Sequence, residues 1–476
     1  MPRISEDWLA VWIGLLVFAL ATATMFGLDL LGWSVTSKVW LEPAKALAPV
    51  AKGSTVPPLL SLAGSYVFML LLACAGARCL GARQARFAAA FTVLFALSVL
   101  CWVIGHYAYI AATSDKFDKL GIAWSLNLTG ESGYIIALLL GLAIANLAPG
   151  TAGRLREAVR PELYVKIAIV IMGAALGVKS AETFGLAQTV IWRGLCAVVE
   201  AYLIYWAVIY YVARRYFRFS REWAAPLASG ISICGVSAAI ATGAAIRARP
   251  IVAVMVSSLV VIFAVIELLI LPFLAQHFLY DEPMVAGAWM GLAVKTDGAA
   301  IPAGAITDSL IRAKAFAVSG VQYQEGWISM ATTTTKIFID VFIGVWAFLL
   351  AIIWTSFIDR KPGVRVGVGE IWERFPKFVI GYVLTFALML WWCLGDESRI
   401  GAAKPATEVA NVYRQLFFLL TFLCIGLVSD FRKLREEGIG RLAAVYAVSL
   451  FGFIIWFGLV ISWLFFAGVK PPLASG

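Results

Sequence analysis

Four ionisable side chains stand where almost every neighbour is apolar: Lys295, Asp297, Lys336 and Asp340. A charge at membrane depth is costly, so such residues mark function by default. Lys295 and Asp297 flank Thr296 within the run Gly287 to Asp308, which Gly298, Pro302 and Gly304 interrupt. Lys336 and Asp340 are four residues apart, so they share a helix face and can pair, and Thr332 to Thr335 lead into them. The bland reading of that pair is a structural ion bridge. Glu267 and Glu200 are single carboxylates in other apolar runs, better suited to reaching a helix partner or an aqueous end. A lysine in such a place can neutralise an oxyanion, and an aspartate can carry a proton or a sodium ion.

These residues need elements that bring polar backbone to membrane depth. Trp223 to Pro250 has that character: Ser229-Gly230-Ile231-Ser232-Ile233-Cys234-Gly235-Val236-Ser237 is built from small residues, with Pro226 before it and Gly243 after. Small residues permit close helix packing. Gly- and Pro-interrupted segments also break helices and expose N–H and C=O groups to a cavity, and two of them in one polytopic chain point to a transporter's binding site. The free N–H groups and positive dipole end of a half-helix suit an anion. The candidate substrate-binding set is therefore Ser232, Cys234, Gly235, Ser237, Thr242, Lys295, Thr296 and Lys336, with Asp297 and Asp340 as ion-coupling residues. No metal ion or cofactor is expected beyond a coupling proton or sodium ion.

The remaining composition bounds the class. The chain has 476 residues, 62% apolar and 14% charged, against about 25% charged in a soluble domain. Its net charge of +10 resides in short loops, which speaks for membrane orientation and against a nucleic-acid partner. The 7 cysteines lack metal-ligand spacing, and with only 2 histidines a histidine-based metalloenzyme is not expected. Gly-x-Ser-x-Gly, His-Glu-x-x-His and paired intramembrane aspartate motifs are missing, so an enzyme is not expected. Apolar segments fall at about 8–30, 58–80, 87–112, 133–148, 162–179, 189–213, 224–246, 251–276, 285–306, 331–357, 376–395, 411–429 and 440–467. The fold class is thus all-α and polytopic, with about 11–13 membrane segments.

Basic loops recur at Arg78/Arg83/Arg86, Arg154/Arg156/Arg160, Arg214/Arg215/Arg218/Arg221, Arg360/Lys361/Arg365/Arg374/Lys377 and Arg432/Lys433/Arg435/Arg441. The positive-inside rule then puts the N-terminus in the cytoplasm and the C-terminus outside. Arg247 and Arg249 obey the rule only if 224–246 and 285–306 are both re-entrant. Gly173 to Gly185 and Cys424 to Gly438 show weak mutual similarity, a hint of repeat architecture.

Ser232-Ile-Cys-Gly235 followed by Ala241-Thr242 resembles a stretch of the YeiH-like sulfate exporter family, grouped with the cation:proton antiporter/anion transporter superfamily. The likeness extends to Ala137-Leu-Leu-Leu-Gly141 with Asn146, to Leu176-Gly177, Gly291, Val294 and Lys336, and to Leu423…Gly426-Leu427, covering roughly Ser132 to Phe466. It implies a transporter core at 132–467 with discontinuous helices near 224–246 and 285–306 and an inverted repeat. Residues 1–113 would be a three-helix N-terminal extension and 468–476 a tail. It further implies a homodimer in the bacterial inner membrane that exports a small anion, sulfate or a sulfonate. The chain departs from the pattern in having Lys295-Thr296 where the family has His and an acid, Gly243 for a Glu, and Ile339 for an Arg, with Asp340 added. The competing reading is a cation:proton antiporter in which Asp297 and Asp340 bind the ion.

Overall fold

The computed structural model describes residues 5–51, 53–113, 116–126, 128–358, 372, 375–430 and 440–474. Of the residues invoked above, Arg360, Lys361, Arg365, Arg374, Arg432, Lys433, Arg435 and Gly438 lie outside the described residues. In hydrocarbon a chain must satisfy its own backbone polar groups, so the apolar runs become helices. In chain order the main ones are α1 (Glu6–Thr22), α2 (Pro58–Cys79), α3 (Gln84–Gly105), α4 (Ser132–Leu147), α5 (Pro149–Leu155) and α6 (Pro161–Glu182). They continue with α7 (Phe184–Arg215), which contains a π-helical turn at Val199–Tyr205. Next come α8 (Arg221–Ser232), α9 (Val236–Ala245), α10 (Pro250–Phe278), α11 (Pro283–Ala293), α12 (Asp297–Ser319), α13 (Trp327–Val341) and α14 (Ile343–Ile353). Last are α15 (Phe378–Cys393), α16 (Glu397–Val428) and α17 (Gly440–Phe466), the last with a π turn at Leu450–Ile454. A short antiparallel pair, β1 (Val35–Ser37) and β2 (Leu47–Pro49), links α1 to α2.

Among the described residues, 9 helical stretches are long and apolar enough to cross a membrane, or 10 if α4 and its continuation, bent by 116°, form one span. The apolar segments at 133–148, 224–246, 285–306 and 376–395 are not continuous spans of that kind: three contain helices of 10 to 16 residues, α9, α11 and α15, and the other is the bent pair. Apolar content reports burial and not helix continuity, which is why these segments look alike in sequence.

The chain divides into two compact units. The first comprises Met1–Ala187, Arg312–Gln322 and Lys377–Val428. Glycines set its close crossings. A Cβ on Gly141 would meet Leu423 O at 2.3 Å, and one on Gly426 would meet Leu138 O at 2.4 Å, so α4 and α16 touch backbone to backbone. Gly173 and Gly177 do the same for α6 against α15, with Tyr382 O at 2.6 Å and Phe386 O at 2.4 Å. At the start of α1, Glu6 pairs with Arg160 at 2.8 Å and Asp7 with Lys166 at 2.9 Å.

The second unit comprises Gln188–Ile311, Tyr323–Pro376 and Ser429–Gly476. Its helix α10 acts as a ruler: its 29 residues extend on the order of 43 Å at 1.5 Å per residue. Near its N-terminal end Arg249 bonds Glu222 at 3.0 Å, so the start of α8 and the end of α9 lie together and the two form a hairpin. Arg249 donates to Glu222 and holds that carboxyl below its ordinary value. Along α10, Ala253 faces Gly243, Val256 faces Gly230 and Val260 faces Gly235 at the hairpin tip.

The helices α11 and α12 form a second hairpin that enters from the opposite end of α10. Gly287 meets Ile328 and Gly291 meets Thr332 and Thr335, so α11 runs parallel to α13. Gly304 meets Thr332 and Asp308 accepts from the backbone N–H of Ile328 at 3.1 Å, so α12 runs back antiparallel. Gln276 near the end of α10 donates to Leu310 O at 3.4 Å, which places the base of this hairpin there. Its tip at Lys295 meets Glu267 of α10.

Candidate functional site

Two helix breaks make the site. The first spans Ile233 to Gly235, where Gly235 adopts φ 73° and ψ −109°, a conformation foreign to L side chains. A Cβ there would also meet Val260 Cγ1 at 2.5 Å and Thr296 Cγ2 at 3.0 Å, so glycine is required for space as well as for φ. The second break spans Val294 to Thr296, after which Thr296 Oγ1 accepts from Ala299 N at 3.2 Å and caps α12. The tips therefore touch, Thr296 against Gly235.

Lys336 of α13 stitches them together. Its ammonium donates to Ile233 O at 3.0 Å in the first tip and to Lys295 O at 2.9 Å in the second. It also stands 3.6 Å from Asp297 Oδ1 and is fully buried. This ion pair crosses two elements, whereas the sequence spacing had suggested Asp340 on the same helix. Asp340 is nonetheless close: Cys234 Sγ, an Asp297 oxygen and an Asp340 oxygen all lie within 4.8 Å of one another. One ammonium, two carboxylates and one thiol thus converge on the carbonyls that the breaks release.

Lys295 points elsewhere. Its N–H donates to Glu267 Oε2 at 3.0 Å, and its ammonium donates to Leu292 O and lies 4.4 Å from the centroid of the Tyr205 ring. Tyr205 in turn donates to Ile454 O at 2.9 Å. Glu200, in the π turn of α7, has one oxygen beside the space Gly458 leaves, next to Tyr205 and Leu292. π turns recur at functional sites.

The hydroxyl candidates separate. Ser232 donates to Ala228 O at 2.6 Å within its own helix, and Thr242 donates to Ser229 Oγ at 2.7 Å, which ties the two legs of the first hairpin. Trp206 also donates to Ser229 Oγ, at 2.9 Å. Ser237 is half-buried in the first turn of α9, which begins without a side-chain cap. Thr332 and Thr335 bond helix carbonyls and face Gly291 of α11 and, for Thr332, Gly304 of α12, so these two residues are packing contacts, while Thr333 donates to Ser329 O within its own helix.

Sequence reasoning missed two participants, Tyr205 and Asp308, and singled out a third, Glu267, only as a carboxylate suited to reaching a helix partner or an aqueous end. Tyr205 lies under Lys295, but an aromatic in an apolar run reads as an interfacial anchor. Glu267 caps the second tip, although a lone carboxylate shows no partner in sequence. Asp308 receives the N–H groups of Gly326 at 3.0 Å and Ile328 at 3.1 Å and caps α13. Its position 18 residues ahead of Gly326 could have been found only by pairing the hairpin in advance.

Fold and site together define an all-α, multi-pass membrane protein with a polar cluster buried between opposed helical hairpins. The sequence profile described as Conserved hypothetical protein 698 matches residues 97–445, and the chain belongs to this family, the UPF0324 membrane proteins, which is YeiH-like. It is 43% identical to a UPF0324 membrane protein of Nitrosomonas europaea over 98% of this chain and 97% of that protein. It is 30% identical to one of Rhodopirellula baltica over 75% of this chain and 59% of that protein. To the UPF0324 membrane protein TauZ of Paracoccus denitrificans it is 26% identical over 68% of this chain and 86% of that protein. No solved structure matches.

Proposed function

We propose that this chain is a secondary active transporter that exports a small anion, sulfate or a sulfonate, coupled to protons or sodium, and that it performs no covalent chemistry. The observation that carries the reading is the meeting of two opposed hairpin tips at Lys336. Half-helices that end at mid-depth bring a dipole and free N–H groups to the middle of a spanning helix, and α9 starts there without a side-chain cap. An anion bound at that helix start would draw on Lys336, while Asp297 and Asp340 accept the coupling cation. Alternating access then consists of the unit that carries the tips moving relative to its surroundings.

The family resemblance supports placement in the bacterial inner membrane, an inverted repeat and a homodimer. The loop charges support a cytoplasmic N-terminus and an outer C-terminus. The hairpin closed by Arg249 and Glu222 supports re-entrance of 224–246, since it returns Arg247 and Arg249 to the side of Arg221.

A second reading, a cation:proton antiporter, is favoured by the convergence of Cys234, Asp297 and Asp340 within 4.8 Å. Ligand-induced stabilisation separates the two. A ligand at a hundredfold excess over its Kd stabilises the folded state by about 2.7 kcal/mol. Thermal unfolding shifted by sulfate or methanesulfonate, and not after Lys336→Ala, supports the anion reading. Shifts by sodium alone, lost in Asp297→Asn, select the antiporter.

A further inference from the structure

Glu200 and the side chain of Lys295 are buried ionisable groups that the anion site leaves unused. Glu200 lies in the π turn of α7 and is 1% exposed. Both its carboxylate oxygens are buried and accept no hydrogen bond among the described residues. Lys295 is fully buried, and its ammonium interacts electrostatically with Glu200, with Glu267 of α10 and with Lys336 of α13. Among the described residues, the other titratable groups that face Glu200 are Tyr205 and Cys196 of its own helix. From α17 comes Gly458, where a Cβ would lie 2.7 Å from Tyr205 Oη and 3.5 Å from Glu200 Oε1, and from α11 comes the apolar Leu292. Hydroxyl and carboxyl thus border the same small space. Tyr205 commits its hydroxyl hydrogen to Ile454 O at 2.9 Å, so its oxygen keeps a lone pair to accept with.

A carboxylate taken out of water must be paired or neutral. When Glu200 is charged, the Lys295 ammonium pairs with it through space. When Glu200 is protonated, its O–H can donate to Tyr205 Oη. Each protonation state therefore has its own partner, the second hairpin tip in one and its own helix in the other. A metal ion does not suit this place, since a hard cation takes a shell of oxygen ligands and here one carboxylate stands beside an ammonium.

We propose that Glu200 is a proton-binding site, separate from Asp297 and Asp340, and that its protonation loosens the second hairpin tip. Its part in coupling rests on the transporter reading. Proton uptake removes one of the two carboxylates that compensate Lys295, and the other, Glu267, already caps Lys295 N. The Lys295 ammonium then faces that of Lys336 with less compensation, and the tip docks less firmly. Burial in the docked state suits a coupled carrier, because a carboxyl open to water in every state would pass protons without substrate.

The test uses the full chain in lipid nanodiscs. Acid-minus-alkaline infrared difference spectra report protonated carboxyls through their carbonyl stretch. Hydrogen exchange of residues 293–300, corrected for its intrinsic pH dependence, reports the tip. The wild-type protein is expected to show a band that Glu200→Gln removes and Glu267→Gln retains. Its tip should exchange about tenfold or more faster in acid, the least that loss of a buried charge partner implies. Glu200→Gln is neutral at every pH, so its tip should exchange at the fast rate throughout. Lys295→Met serves if that variant does not fold: without the ammonium Glu200 should stay protonated, and the band should cease to titrate. A band that survives Glu200→Gln, no titrating band in the wild-type protein, or a tip whose pH dependence is unchanged in Glu200→Gln overturns the proposal. Absence of anion counterflow with these results intact would sink the transporter reading and leave the proton site standing; counterflow without them removes the proton site alone.

Discussion

Lys336 bonds the carbonyls of both tips and faces Asp297. Removing one partner of a buried pair typically costs about 3–5 kcal/mol because the other is left uncompensated. Lys336→Ala is therefore expected to lower the thermal midpoint markedly. The double variant Lys336→Ala/Asp297→Asn should recover part of the loss, read as a coupling energy in a double-mutant cycle. Full additivity of the two would mean that the pair is not a unit. Gly235→Ala is expected to destabilise by about 1–3 kcal/mol through its backbone angle alone, with a further penalty from Val260. Val260→Ala in the same chain should relieve only that further part.

At the scale of elements, the hairpins are held by glycines as much as by side chains. A Cβ on Gly291 would lie 1.9 Å from Thr335 Oγ1, whereas one on Gly185 meets nothing within 4 Å. Gly291→Ala should accordingly weaken the protein by roughly 1–3 kcal/mol, the usual cost of overpacking, and Gly185→Ala should be near neutral. Comparable losses in the two variants, measured by thermal unfolding, would show that α11 and α13 are not in this register. The breaks themselves were legible, because Gly and Pro interrupt two apolar runs and Lys295, Asp297 and Lys336 have no place on a lipid-facing helix. Their meeting point was not. Nothing local in Ile233 or Lys295 says that their carbonyls share one ammonium, and nothing local in Thr332 or Thr335 says that they pack on Gly291 and Gly304. Glu267 stood out as a lone carboxylate, but its partner stayed hidden for the same reason, since it is a backbone N–H from another element.

For the whole molecule, apolar runs in the sequence identified a multi-pass helical protein, yet could not separate full spans from short helices such as α9, α11 and α15. The motif residues shared with the YeiH-like family divide physically: Gly141, Gly177, Gly291 and Gly426 are contact points between helices, while Cys234, Gly235 and Lys336 build the site. Opposed hairpins on α10 carry a topological consequence. Its 29 residues are long enough to cross a hydrocarbon layer of about 30 Å, so its ends are expected on opposite sides. Single cysteines at Arg249 and Glu282, probed in sealed vesicles with a membrane-impermeant maleimide, should be modified from opposite faces. Modification of both from one face would rule out the opposed arrangement.

The claim that most needs testing is anion transport through the tips. Purified protein in liposomes loaded with unlabelled sulfate or methanesulfonate should accumulate the labelled anion by counterflow. Lys336→Ala and Asp297→Asn should abolish that uptake in folded, reconstituted protein. Absence of counterflow for either anion, together with sodium-driven proton movement that depends on Asp297 and Asp340, would contradict the account and make the chain a cation:proton antiporter.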